Sequence, residues 1–190
     1  MSKALKAIQS ILTASSNKEA LAAQQNFVPG VETKIYGVRM PILNDLAKEF
    51  KGGGFELVKE LWDAGAYEEK MLAVKILGLI ARKDAERSLQ LIQDFAPAID
   101  NWAICDAIGM QGLKPILKSH QKEIFALAKK YNRSANFWER RLSLVLVEWY
   151  TRIPELHIEI KKLVKPLEND PEYYVRKAVI WINRNFEKAR

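Results

Sequence analysis

Apolar residues recur at three- and four-residue intervals along nearly the whole chain, and that period commits it to helices. The segments "LKAIQSIL" and "EALAAQQNFV" carry the spacing from the start, and "VPG" at Val28–Gly30 interrupts it. A helix then starts near Pro41, where proline suits the first turn, runs through "ILNDLAKEF" and stops at the glycines Gly52–Gly54. "FELVKELWDAG" is ended by Gly65, and "YEEKMLAVKILGLIAR" reads as a longer, buried helix. Asp84 is placed to cap "AERSLQLIQDFA". "NWAICDAIGM", "HQKEIFALAKKYN" and "NFWERRLSLVLVEWY" follow, the last ending before Pro154. "PELHIEIKKLV" comes next, and Asp170-Pro171 opens "EYYVRKAVIWINRNF". The sum is about ten helices with short connectors and no convincing strand.

Helical pairs of roughly 35–45 residues stack into solenoids of HEAT-like or armadillo type, and the curved groove of a solenoid suits an extended partner. A compact helical bundle is the alternative. Either way one domain over residues 1–190 is expected, and its 48% hydrophobic content is enough for a core. No apolar run approaches the ~20 residues that span a bilayer. "MSKALKAIQSILTASS" reads as an amphipathic helix rather than a signal peptide, so a cytoplasmic location is expected. Cys105 is the single cysteine, which excludes an internal disulfide framework. With His120 and His157 it gives no metal-ligand spacing, so neither a metal nor a cofactor is expected.

The net charge of +7 is unevenly placed. Residues 1–100 carry 13 basic and 13 acidic side chains, residues 101–190 carry 17 and 10. A basic half points to a polyanionic partner, most often nucleic acid; an uneven solubility charge is the alternative.

Three helices of that half carry residues which helix packing alone does not demand. Trp102 and Asp106 lie one turn apart on the side of their helix opposite Ile104 and Ile108. A neighbouring helix could cover the indole, since solenoid helices pack on more than one side. In the final helix Val175, Ala178, Val179, Ile182 and Phe186 form an apolar stripe, while Trp181 lines up with Lys177 and Arg184. An indole between two cations suits a nucleic-acid surface, the cations meeting phosphate and the ring meeting sugar or base. Alternatively, the two basic stems shield the ring. In "FWERRLSLVLVEWY", Trp138, Leu142, Val145, Leu146 and Trp149 read as the core stripe, Arg141 sits at its edge and Arg140 points away. Arg141 could hold a phosphate through its planar fork or pair with Asp106 across helices. If these helices line one groove, two aromatic walls and a lone carboxylate suit a cationic transition state. Ring faces attract positive charge, and a carboxylate can stabilise an oxocarbenium-like sugar or orient a water.

Four stretches, in order, carry a resemblance: "YGVRMPILNDLAKEF" (Tyr36–Phe50), "NWAICDAI" (Asn101–Ile108), "FWERRLSLV" (Phe137–Val145) and "YYVRKAVIWINRNF" (Tyr173–Phe186). They are similar to the signature segments of the DNA alkylation repair family, the HEAT-like-repeat alkylpurine DNA glycosylases, from about residue 20 onward. The resemblance implies an all-α helical-repeat solenoid with a concave basic groove for duplex DNA. It implies hydrolysis of the N-glycosidic bond of cationic N3- or N7-alkylated purines, without flipping the lesion into a tight pocket. Residue by residue, Asp106 matches the catalytic aspartate and Trp102 and Trp181 the tryptophans flanking the lesion's sugar. Arg141 matches the arginine on the DNA backbone, with Arg140 as the fallback. The expected partner is duplex DNA containing alkylated purines, met by a monomer at the nucleoid, with no membrane, metal or cofactor involved. A non-catalytic binder of damaged or branched DNA and a HEAT-like protein-interaction scaffold are the competing expectations.

Overall fold

A computed structural model describes residues 1–30 and 32–188, and every regular element among them is helical. In chain order the α-helices are α1 (Lys3–Ala14), α2 (Lys18–Phe27), α3 (Met40–Phe50), α4 (Gly54–Ala64), α5 (Tyr67–Ile80), α6 (Ala85–Phe95), α7 (Trp102–Ala107), α8 (Gln121–Tyr131), α9 (Phe137–Val147), α10 (His157–Val164) and α11 (Tyr173–Lys188). The fold is an all-α helical repeat, as the periodicity and the resemblance led one to expect. By internal contacts the chain forms two compact units, Met1–Leu91 with Gln111–Pro115, and Ile92–Met110 with Ile116–Arg190.

In the first unit α5 is the hub. "MLAVKILGLI" is apolar around most of its circumference, and α3 and α4 pack against it, leaving Lys75 half-buried and Leu79 exposed. Two carboxylates at its start are buried, and both oxygens of each accept hydrogen bonds. Glu68 accepts the backbone N–H groups of Tyr36 (2.9 Å), Gly37 (2.8 Å) and Val38 (3.1 Å). Glu69 accepts the N–H of Ala66 (2.8 Å), the Tyr36 hydroxyl (3.1 Å) and the Gln9 side-chain amide (2.9 Å). The non-helical "YGVR" segment before α3, which has no sheet to satisfy its donors, is thereby tied to α5. Gly37 is required in it: its φ is +79°, and a Cβ there would lie 2.7 Å from the Leu21 Cβ.

In the second unit α9 is the hub, with α7, α8, α10 and α11 packed around it. Residues 141–147 are all buried, so the stripe read from the sequence is too narrow. Trp138 and Trp149, assigned to that stripe, are only half-buried at its ends. The α11 stripe is the expected one, Val175, Ala178, Val179, Ile182 and Phe186.

Helix ends follow local chemistry. The Asp84 carboxylate accepts the Arg87 N–H at 2.9 Å and caps α6, and Gly65 takes the left-handed conformation (φ +90°) that ends α4. Two ends differ from expectation. The helix expected to stop at Gly52–Gly54 ends at Phe50, with Lys51–Gly53 forming a 3-10 turn; the next helix starts earlier than read, at Gly54. "NWAICDAIGM" is α-helical only to Ala107, after which Ile108–Gly112 widen into a π-helical turn.

Candidate active site

The site is assembled in the second unit by α7, α9 and the start of α11. The Asn101 side chain starts α7 by accepting the Ile104 N–H at 2.9 Å, and it donates to Asp100 at 2.7 Å. With Ile104 and Ile108 fully buried, Trp102 and Asp106 fall on the other side, and both are half-buried. The π-helical turn that continues α7 approaches α9 closely where Gly109 meets Val145: a Cβ on Gly109 would lie 2.7 Å from Val145 Cγ1 and 2.9 Å from the Val145 carbonyl oxygen.

One turn before Val145, Arg141 reaches across to α7. Its Nε donates to Asp106 Oδ1 and its Nη2 to Asp106 Oδ2, both at 2.9 Å, and its Nη1 donates to the Tyr174 carbonyl at 2.5 Å. One guanidinium thus ties α7, α9 and α11. Of the two contacts that the sequence leaves open for Arg141, the structure contains the pair with Asp106. The Arg141 side chain is 7% exposed and Asp106 17%. Burial pushes the Asp106 carboxyl above its ordinary value, against the Arg141 hydrogen bonds and charge, which draw it down. Each carboxylate oxygen keeps a further lone pair, so a water or a sugar at the exposed edge can still be met. Cys105, beside Asp106, is fully buried, and its Sγ lies 3.7 Å from the Trp138 carbonyl. Burial, reinforced by the Asp106 charge, holds that thiol well above its ordinary value, so it supplies no thiolate nucleophile.

Arg140, read from sequence as pointing away, is bound in the protein as well. It forks onto Asp170 (Nε–Oδ2 2.7 Å, Nη2–Oδ1 3.0 Å), and its Nη1 donates to the carbonyls of Ser134 and Ala135 at 2.9 and 3.1 Å. Asp170 is buried, which opposes its ionisation, but Arg140, the Glu172 N–H and Arg176 outweigh this and hold its carboxyl below the ordinary value. Both arginines therefore spend their planar forks on carboxylates.

Trp181 is half-buried on α11, two turns beyond Tyr174, or roughly 10 Å along the axis. Lys177 and Arg184, on the same helix face, are exposed. Sequence reasoning missed the aromatic pairs at the starts of α9 and α11, Phe137–Trp138 and Tyr173–Tyr174. Two adjacent aromatic residues directly after a helix start were the available signal, since one residue of such a pair must leave the core face. Among the described residues no His, Cys, Asp or Glu group could hold a metal ion, and no helix is long and apolar enough to cross a membrane.

The chain matches the model of the DNA alkylation repair enzyme family over residues 8–189. It belongs to that family, so the carboxylate–arginine site stands in a protein of alkylated-DNA repair. Three solved chains are similar to it. One, a "Predicted DNA alkylation repair enzyme from Enterococcus faecalis", is 16% identical, with a TM-score of 0.78 over 92% of this chain and 84% of that one. At that identity the likeness bears on the fold alone. No curated protein matches this chain significantly.

Proposed function

We propose that the protein is a monofunctional DNA glycosylase that hydrolyses the N-glycosidic bond of cationic N3- and N7-alkylated purines in duplex DNA. The observation that carries this reading is the Asp106 carboxylate, held by both oxygens on Arg141 at 2.9 Å, half-buried and one turn from Trp102. An alkylated purine carries positive charge and leaves readily, so little acid catalysis is required. What remains is to stabilise an oxocarbenium-like sugar and to place a water. An ionised, immobilised carboxylate does both in a partly dry site, where its field is less screened. The electron-rich indole faces of Trp102 and Trp181 favour the same cation.

Arg141 then serves as a positioning residue, fixing the carboxylate's orientation. Arg140 fixes Asp170 in the same way. The phosphate contacts expected of these two arginines pass to Lys177 and Arg184, which lie exposed beside Trp181 on α11. The protein's place is the cytoplasmic nucleoid, where its duplex substrate lies.

Incubation with methylated duplex, followed by detection of free 7-methylguanine and 3-methyladenine and of abasic sites, tests the proposal. Wild type is expected to release both bases. Asp106→Asn, which keeps the shape but not the charge, is expected to release neither while binding duplex within a few-fold of wild type. Full release by Asp106→Asn would remove the aspartate from the mechanism. Tight binding without release by wild type would leave a non-catalytic DNA binder.

A further inference from the structure

At the starts of α9 and α11 runs a ladder of four aromatic rings that the proposed hydrolytic step does not use. Phe137 lies against Trp138 with ring centroids 4.6 Å apart, Trp138 against Tyr174 at 5.1 Å, and Tyr174 edge-on against Tyr173 at 5.2 Å. The Lys177 ammonium ends the row, 5.4 Å from the centre of the Tyr173 ring. This is not core packing that happens to reach the surface. Phe137, Trp138 and Tyr174 are half-buried, and Tyr173 is 55% exposed.

The ladder is also built to keep its shape. Its two halves stand on different helices, α9 and α11, and the part-buried Arg140–Asp170 pair clamps those helix starts together. Arg176 adds bonds to the carbonyls of Asp170 and Pro171, at 2.7 and 2.6 Å. The backbone of the two central rings is engaged by the catalytic carboxylate's own surroundings. Arg141 donates to the Tyr174 carbonyl, and the Cys105 thiol lies against that of Trp138. A rigid row of rings, open at Tyr173 and flanked by a cation, has the chemistry of a stacking platform for single-stranded nucleic acid. Every base presents a π-face to such a surface, and the cation meets the adjoining phosphate.

We infer that Tyr173, backed by Tyr174, Trp138 and Phe137, forms a second subsite that takes an unpaired nucleobase of the DNA strand next to the carboxylate. The inference rests on the reading above only in requiring that this face of the second unit meets DNA. The subsite lets the protein hold a duplex that is locally unstacked in preference to an intact one, and it does so by contact with a base rather than through added charge.

The test is the affinity, at one fixed salt concentration, for an intact duplex and for the same duplex with one unpaired central adenine. Wild type is expected to prefer the bulged duplex on the order of tenfold, the size of one stacked base. Tyr173→Ala, at an exposed position, is expected to bring the two affinities within about twofold of each other. Tyr173→Phe is expected to keep the wild-type preference, and helical circular dichroism to be unchanged in both variants. The inference is overturned if wild type shows no preference, if Tyr173→Ala retains it, or if Tyr173→Phe loses it as Ala does. Base release measured on the same preparations separates the two proposals. A Tyr173-dependent preference in a wild type that releases no methylated base sustains the subsite and removes only the glycosylase. Normal release with an undiminished preference in Tyr173→Ala removes only the subsite.

Discussion

Replacing Arg141 by alanine strips the partner from a largely buried carboxylate, and the resulting loss of stability is expected to depend on pH. The variant loses the double bond to Asp106, the bond to the Tyr174 carbonyl and the packing of a stem that is 7% exposed. The carbonyl and the stem contribute a loss of about 1–2 kcal/mol that no titration affects. Leaving one member of a buried ion pair behind costs about 3–5 kcal/mol in all, and the 17% exposure of Asp106 favours the lower figure. The difference, about 1–2 kcal/mol, belongs to the carboxylate's charge. Burial already raises the folded-state pKa of Asp106, and Arg141 is what draws it down, so the variant's value lies higher still. With the folded value above the unfolded ~3.9, the folded state holds its proton to higher pH than the unfolded chain does. Stability therefore falls as pH rises from the unfolded to the folded value and levels off above it. Urea unfolding followed by tryptophan fluorescence should show the variant about 3 kcal/mol less stable than wild type near neutral pH and about 1–2 kcal/mol less stable at about pH 4.5. Groups that titrate alike in both proteins cancel in this difference. An equal loss at both pH values, or a larger one in acid, would refute the assignment of the charge.

Further outcomes follow from single contacts. Glu68→Gln puts an amide that donates on one side against backbone donors, where Glu68 accepts three N–H groups, and it should lower the unfolding free energy by about 2–3 kcal/mol. Hydrogen exchange at Tyr36, Gly37 and Val38 should accelerate with it. Gly109→Ala should cost about 1–3 kcal/mol by overpacking against Val145. Adding Val145→Ala should restore only part of that, because the clash with the Val145 carbonyl remains; full restoration would show that the backbones are not in close contact. Removing Lys177 and Arg184 together should weaken duplex binding alike for all sequences and reduce the slope of log affinity against log salt by about 2.

What the sequence disclosed is what helical period alone can disclose. The α11 stripe and the Asp84 cap came out as read, because a 3.6-residue period and a cap involve only near neighbours. Trp102 and Asp106 were legible as off-core for the same reason. The partner of Arg141 was not. Asp106 lies 35 residues away, and a helical wheel gives the direction of a side chain but not what stands there. The burial of Arg140 was misjudged because its acceptor, Asp170, belongs to a loop outside any periodic pattern. The narrow α9 stripe failed because four other helices surround α9, and a one-sided pattern assumes one neighbour. The aromatic ladder needed two helix starts some 36 residues apart to be brought side by side, and no local rule supplies that.

Arg140 and Arg141 are consecutive, so they leave α9 about 100° apart, one toward α7 and the other toward the loop before α11. Together they act as a key cut for one rotation of that helix. A shift by a single residue would carry both guanidinium groups past their locks and strand two acids in the interior. Insertions and deletions in the turn that leads into α9 therefore cannot be absorbed by sliding, and natural length variation should collect in other connectors.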